Sequence, residues 1–184
     1  IQDNGCLSFA DGTPTVCNWA DIAYGPETMT QVLEHSANVG AAYVATVLGP
    51  ERYYPYVQRF GFGTPTDLFG PEESGGYRTS QDQVWTMSDL TRQAFGQSIT
   101  VTPIQLARAY QAIANGGVMM KPYIVSSVND NGKVTAMQPQ VMGRVISDAT
   151  SKSLTQMLVS TAISEKTTLL TDYSEAIKTG TSTT

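Results

Sequence analysis

The sequence predicts a mostly helical α+β domain, and three observations carry that prediction. An apolar run from Val39 to Leu48, stopped by Gly49-Pro50, is typical of a buried helix. Thr102-Pro103-Ile104-Gln105 combines an N-cap, a proline at the first helical position and a capping box. Asn131-Gly132 between two strand-like segments indicates a β-hairpin. These patterns predict several helices and a few short strands.

Composition narrows the class of protein. The 184 residues lie within the range of one domain and can bury a sizeable core. Hydrophobic residues make up 41% and charged residues 15%, which argues against a disordered tail or a coiled coil. The net charge of -5, without a basic run, argues against a nucleic-acid partner. The chain starts at Ile1 without a methionine or signal-like segment, so we expect a piece of a longer protein.

Cys6 and Cys17 flank the turn-rich stretch Asp11-Gly12-Thr13-Pro14. One interpretation is a disulfide, which would contribute roughly 2–3 kcal/mol and indicate an extracytoplasmic location. The other is two unrelated thiols. No histidine accompanies the cysteines at zinc-finger spacing, so we expect no metal site. No cofactor motif is present either, because Gly61-Phe62-Gly63 lacks the third glycine and the P-loop lysine.

The first half of the chain predicts loops followed by helices. Residues 1–25 are rich in turn formers and indicate loops or a small hairpin. Gly25-Pro26-Glu27 predicts a helix start, with Met29, Val32 and Leu33 on its apolar stripe. The pattern breaks at 35–38, and the run Val39–Leu48, apolar almost all round, predicts a buried helix. A third helix is predicted from Glu51 to Phe60, disturbed by Pro55.

The second half mixes helices and strands. We expect extended loop over 64–100 with a short helix at Val84–Leu90, then the helix that runs from Thr102 to Asn115. Strands are predicted at Met120–Val128 and Lys133–Met137. A last helix begins at Ser147-Asp148, with inward side chains at Leu154, Met157, Leu158 and Ile163. Residues 164–172 form a polar loop, and 173–183 predict a final strand.

Two local patterns are unusual for purely structural segments. Lys178-Thr179-Gly180-Thr181 on a strand would place a cation, hydroxyls and a bare strip of backbone together, a receptor suited to a carboxylate or acyl group. Ser36-x-Asn38 lies in a break between two helices. Each pattern has a structural alternative, since Ser36 could be a helix N-cap and Lys178 a lysine on an edge strand. His35 suggests a general base, but a partly exposed histidine at a helix end explains it better.

Together and in this order, the two patterns resemble a known family. Serine acyl-transferring enzymes of the penicillin-binding and β-lactamase class use Ser-x-x-Lys, Ser-x-Asn and Lys-Thr-Gly motifs. The sequence is similar to the transpeptidase domain of class B penicillin-binding proteins over nearly its whole length. The segments that carry the resemblance are Ser36-Ala-Asn-Val-Gly40, Phe60-Gly-Phe-Gly63, Gly96-Gln97, Val101-Thr-Pro-Ile-Gln105, Ala114-Asn-Gly-Gly117 and Lys178-Thr-Gly-Thr181.

The resemblance implies a five-stranded sheet beside a helical subdomain, with the active site between them. The whole chain, 1–184, would then be part of a transpeptidase domain. It would comprise a loop or hairpin region (1–25), most of the helical subdomain with Ser-x-Asn (26–117), a hairpin and connection (118–146), and a helix followed by the Lys-Thr-Gly strand (147–184). As a piece of that fold, the chain should be predominantly helical, with about 40% helix and little sheet.

The resemblance also implies a serine D,D-transpeptidase that cross-links peptidoglycan stem peptides and is acylated by β-lactams. Catalytic roles would fall to Ser36, which relays a proton, to Asn38, which binds the acyl-side amide, and to Lys178, which holds Ser36. Thr179 and Thr181 would bind the terminal carboxylate, with the Thr181 N–H in the oxyanion hole. Gly180 would leave room for the substrate.

One departure from the family pattern is large. No serine in this chain is followed three residues later by lysine, so we expect the nucleophile upstream of residue 1 and the rest of the sheet downstream. The chain alone should not form an acyl-enzyme. It should pair with the remaining parts of the domain, in a membrane-anchored parent that acts outside the cytoplasm in a cell-wall synthesis complex. The alternatives are a non-catalytic β-lactam-sensing module of the same fold and a domain kept for protein–protein contacts.

Overall fold

The computed structural model describes residues 1–68, 75–167, 170 and 172–180. Of these described residues, 39% are helical and 16% lie in strands. The predicted proportion of about 40% helix with little sheet is therefore confirmed. No helix in the described ranges combines the length and the apolar character that crossing a bilayer would require.

Six α-helices occur in the described ranges, and each overlaps a segment that the sequence predicts to be helical. Their bounds are α1 (Met29–Glu34), α2 (Asn38–Leu48), α3 (Pro50–Arg59), α4 (Met87–Gln93), α5 (Pro103–Ala114) and α6 (Asp148–Ser164). Gly49 ends α2 with a φ of 74°, and the Thr102–Gln105 capping box begins α5, both as predicted.

The strands are short and mostly pair as antiparallel ribbons. Their bounds are β1 (Gln2–Asp3), β2 (Cys6–Leu7), β3 (Val16–Cys17), β4 (Gly25–Pro26), β5 (Gly76–Tyr77), β6 (Ile99–Thr100), β7 (Val118–Met120), β8 (Ser127–Asp130), β9 (Lys133–Ala136) and β10 (Val141–Arg144). Antiparallel pairs form between β1 and β4, β2 and β3, β7 and β10, and β8 and β9. The predicted Asn131-Gly132 turn joins β8 to β9, with positive φ at both residues.

The chain folds as two compact units. The first comprises the described residues within Ile1–Pro55, Tyr77–Ile99 and Ser153–Thr184, and the second those within Tyr56–Gly76 and Thr100–Lys152. In the first unit, Ala45, Tyr54 and Leu90 form a buried apolar cluster. The Trp85 indole N–H donates to the Tyr54 hydroxyl at 2.6 Å, which satisfies the polar ends of two aromatic side chains at the edge of that cluster.

The core of the second unit contains Ala112, Met119 and Val145, with Phe60 packed against them. Arg108 is buried and donates from Nη2 to the Gly61 carbonyl at 2.6 Å. A Cβ on Gly61 would lie 2.2 Å from that guanidinium nitrogen, and Gly61 has a φ of 78°. Both facts require glycine here, so the Phe-Gly-Phe-Gly segment is a packing feature rather than a phosphate loop.

The start of α1 differs from the prediction. Gly25-Pro26 belongs to β4, and the helix begins at Met29 after Thr28. The Thr28 side chain accepts from the Gln31 N–H while the Gln31 side chain accepts from the Thr28 N–H, a complete capping box. A Thr-x-x-Gln signal in the sequence therefore outweighs the proline two residues before it.

Packing between α1 and α2 depends on a glycine. A Cβ on Gly40 would lie 2.6 and 2.8 Å from the two methyl groups of Val32, closer than such atoms approach in proteins. The absence of a side chain at Gly40 therefore allows α1 and α2 to pack closely at this position. The expectation that α2 is buried is wrong for part of the helix, because Tyr43 and Val47 are 44% and 63% exposed.

A buried polar network ties the N-terminal segment to α2. The Asn18 Oδ1 atom accepts from the Val39 N–H at 3.0 Å, which caps the first turn of α2. The Asn18 amide donates to Asp3 Oδ2 at 2.7 Å and to the Ile22 carbonyl at 2.9 Å. The other Asp3 carboxylate oxygen accepts from the Gly5 N–H at 2.7 Å. Asp3 and Asn18 thus use their polar atoms within a buried site, which makes the network costly to break.

Three further sequence predictions are wrong. A continuous strand at Met120–Val128 is absent, because β7 ends at Met120 and β8 begins at Ser127, with Pro122 between them unable to donate to a ladder. Ile163 on α6 is 65% exposed rather than inward, although Leu158 is buried as expected. The strand predicted over 173–183 does not occur at 173–180, where no ladder partner is present among the described residues; 181–184 lie outside them.

Substituting Gly40→Ala should destabilise the chain by about 1–3 kcal/mol, because the new methyl group overlaps both Val32 methyl groups. The measurement is chemical denaturation followed by the helical circular dichroism signal. In a Val32→Ala background the same substitution should be neutral or stabilising, because alanine has the higher helix propensity. Equal losses in the two backgrounds would contradict the packing account.

Substituting Asn18→Ala should cost about 2–4 kcal/mol, because it leaves a buried Asp3 carboxylate and the Val39 N–H without their partner. Amide hydrogen exchange at the start of α2 should accelerate in step. Asn4→Ala is the matched control, because Asn4 is exposed and, within the part of the chain that the structure describes, its side chain accepts only from Gln2. A stability loss in the control as large as that in Asn18→Ala would count against the network.

Candidate active site

Ser36 lies in a strained turn at the end of α1. The Ser36 N–H donates to the Leu33 carbonyl and the Ala37 N–H to the Val32 carbonyl, the two bonds of a Schellman motif. Ser36 therefore occupies the position usually taken by glycine, and its φ is 50°. A left-handed residue other than glycine costs about 1–2 kcal/mol, so this serine is kept at a cost to stability. The alternative that Ser36 is an N-cap is wrong, because Ala37 holds that position.

Lys178 contacts Ser36 directly. The Lys178 Nζ donates a short hydrogen bond to the Ser36 Oγ and a second one, at 3.0 Å, to the Thr179 carbonyl. Burial lowers the pKa of Lys178 below its ordinary value, while the nearby Glu165 carboxylate acts in the opposite direction. The structure thus brings together the two patterns, 142 residues apart, that the sequence indicated separately.

Asn38 is the first residue of α2, two positions after Ser36. Its side-chain amide donates to the Cys17 carbonyl at 3.1 Å, on the strand next to Asn18. Cys17 is joined to Cys6 by a disulfide across β2 and β3, where the two residues face each other in register. Because both sulfurs are used in that bond, they offer no thiolate to a metal ion, although Asp21 lies beside them.

The Lys-Thr-Gly segment continues from Lys178 with Thr179, whose hydroxyl donates to Glu165 Oε1 at 2.9 Å. Gly180 has open space around it, since no described atom lies within 4 Å of the position of a Cβ there. Its φ is not in the left-handed range either. Neither backbone conformation nor packing in the described residues therefore requires glycine at 180. Thr181, also predicted as a site residue, lies outside the described residues.

His35 lies at the C-cap of α1, the helix-end position that the sequence favoured. Its Nδ1 is 2.7 Å from Oε1 of the buried Glu27, and its ring stacks on Tyr24 with centroids 4.3 Å apart. The imidazole thus contacts two residues that precede α1 and restrains the turn that carries Ser36.

Asn18 and Glu165 are site residues that the sequence did not indicate. Asn18 supports the start of α2 next to Asn38, and Glu165 accepts from Thr179 just beyond the end of α6. Nothing in the local pattern marks either residue, because both contacts join segments far apart in the chain. The candidate site therefore consists of four groups. They are the strained Ser36, the half-buried Lys178, the Asn38 amide held by Cys17, and the Thr179 hydroxyl that donates to Glu165.

Comparison with known proteins identifies the family. Residues 8–184 match the family model described as the penicillin binding protein transpeptidase domain. The penicillin-binding protein PbpB of Mycolicibacterium smegmatis is 38% identical over 133 residues, which is 72% of this chain. That match spans 20% of PbpB, so the chain corresponds to about a fifth of that relative's length.

Solved structures give the same result. A crystal structure of penicillin binding protein 3 from Mycobacterium tuberculosis, complexed with aztreonam, matches with a TM-score of 0.78 and 32% identity over 88% of this chain and 36% of that one. A peptidoglycan synthetase from Bifidobacterium adolescentis matches with a TM-score of 0.82 and 27% identity over 94% of this chain and 31% of that one. With a family model covering nearly all its residues, this chain belongs to the penicillin binding protein transpeptidase domain family.

Proposed function

We propose that this chain is the central part of a serine D,D-transpeptidase that cross-links peptidoglycan stem peptides and is acylated by β-lactams. The observation that supports this proposal most directly is the hydrogen bond from Lys178 Nζ to Ser36 Oγ. It joins the Ser-x-Asn and Lys-Thr-Gly segments in the pairing that such an acyl-transfer cleft requires. The family match covers both segments.

The chemistry divides among these residues as follows. A nucleophilic serine attacks the carbonyl carbon of the D-Ala-D-Ala amide, the C–N bond breaks, and the serine proton passes to the departing D-Ala amine. Ser36 relays that proton, and the adjacent Lys178 ammonium biases its hydroxyl towards giving it up. An amine from a second stem peptide then attacks the ester carbonyl, the C–O bond to the serine breaks, and a proton lost by that amine returns to the serine oxygen.

Substrate positioning falls to the remaining groups. Asn38 is held by Cys17 through its amide nitrogen, which orients its side chain for the acyl-side amide of the substrate. Thr179 and Thr181 bind the terminal carboxylate, and the Thr181 N–H contributes to the oxyanion hole. Packing does not require glycine at position 180. The absence of a side chain there instead leaves the backbone open for the substrate to approach.

The nucleophile comes from outside these residues. No Ser-x-x-Lys sequence occurs in the 184 residues, so the full-length protein supplies the serine and its neighbouring lysine. The site of action is then the extracytoplasmic side of the bacterial membrane, where peptidoglycan lies and where the Cys6–Cys17 disulfide is stable. The further partners are the rest of the transpeptidase domain and a cell-wall synthesis complex.

A fluorescent penicillin should covalently label the full-length protein that contains these residues, and the 184-residue chain alone should give no adduct. Ser36→Ala should slow labelling by about a hundredfold, because the proton relay is lost. Ser98→Ala is the matched control, since Ser98 also has a positive φ, of 56°, and lies outside the site. A full-length protein that carries Ser-x-x-Lys but is never labelled would be a non-catalytic module and would refute the proposal.

The pH dependence of labelling should depend on Lys178. Because burial lowers the pKa of Lys178, its charge is lost at a pH below the ordinary lysine value of 10.5, and the labelling rate should fall there. Lys178→Arg should remove this alkaline decrease, because guanidinium stays charged, while lowering the rate at neutral pH by about tenfold through altered geometry. Lys152→Arg, an exposed lysine paired with Asp148, should leave the profile unchanged. An identical alkaline decrease in Lys178→Arg would exclude Lys178 as its source.

A further inference from the structure

Glu165 places a negative charge at the cleft. It follows the last residue of α6 and is partly buried, and its Oε1 accepts from the Thr179 hydroxyl at 2.9 Å. The Glu165 charge also acts on Lys178. It raises the pKa of Lys178, whereas burial lowers that pKa. The carboxylate is therefore close to both the hydroxyl and the cation of the Lys-Thr-Gly segment.

The position of this carboxylate matters because a hydroxyl has one proton to donate. While Thr179 donates to Glu165, it cannot donate to a second carboxylate. A substrate carboxylate that approaches Thr179 must displace Glu165, and it meets a like charge that attracts the same ammonium. The Lys178 Nζ already donates to the Ser36 Oγ and to the Thr179 carbonyl.

We propose that Glu165 is a specificity-determining residue of the cleft, whose carboxylate competes with the carboxylate of the incoming substrate or β-lactam for the Thr179 hydroxyl. The inference rests on the proposed function, because it assumes that Thr179 binds that carboxylate. Glu165 thereby lowers the advantage of an anionic ligand over a neutral ligand of the same shape. When an anionic ligand binds Thr179, its carboxylate must first replace the Glu165 carboxylate as the acceptor of the Thr179 hydroxyl.

The test compares two ligands that differ in this charge and by one methyl group. Benzylpenicillin and its methyl ester are allowed to acylate the full-length protein at neutral pH and low salt, and each second-order rate constant is measured by competition with a fluorescent penicillin. The quantity of interest is the ratio of the free-acid rate constant to the ester rate constant. In Glu165→Gln this ratio should rise by roughly three- to tenfold, because the like charge is removed while the side chain keeps its shape.

Two further variants distinguish the effect of the Glu165 charge next to Thr179 from the effect of removing any charge from the C-terminal segment. Glu175→Gln removes a charge from the same C-terminal segment, where the carboxylate accepts from the Leu170 N–H, and should leave the ratio within about twofold of the wild type. Glu165→Asp keeps the charge and should stay near the wild-type ratio. Thermal unfolding of each variant serves as the check on folding.

Each outcome has a defined meaning. A ratio that rises in Glu165→Gln alone supports the proposal. A ratio that is unchanged or lower in Glu165→Gln, or acid and ester rate constants that change by the same factor, overturns it and leaves the proposed function intact. If the wild-type protein is acylated by neither compound nor by the fluorescent penicillin, the proposed function fails, and this inference fails with it.

Discussion

The hydrogen bond between Lys178 and Ser36 is the constraint on which the site depends. It joins two segments 142 residues apart, and one of its partners is a serine in a left-handed turn that glycine would occupy more cheaply. Such strain persists only where the surrounding structure enforces it. Here the Schellman turn at the end of α1 holds the Ser36 backbone, and the Lys178 ammonium holds its side chain.

Support for that turn comes from both sides. His35 reaches back to the buried Glu27 and so fixes the end of a helix of only six residues. On the other side, Asn18 caps α2 and Cys17 accepts from the Asn38 amide, within a segment closed by a disulfide. The disulfide therefore lies where it restrains the strand that positions Asn38, a role beyond its effect on the unfolded chain.

Much of the local structure was predictable because local rules determine it. Capping at Thr102, the stop at Gly49 and the Asn131-Gly132 turn involve residues within one or two turns of each other. The errors arose where two local signals compete or where a partner is needed. The capping box at Thr28 prevailed over Pro26, Pro122 interrupted an apolar strand, and 173–180 lacked a ladder partner within the described ranges.

The sequence by itself determined the family, since Ser36-x-Asn38 and Lys178-Thr-Gly occur in the order and rough spacing typical of that family. Only the tertiary structure decided that Ser36 adopts a left-handed conformation, that Asn18 supports Asn38, and that Glu165 accepts from Thr179. The physical reason is that hydrogen bonds between distant segments depend on how helices and turns pack. No short-range pattern in the chain records that packing.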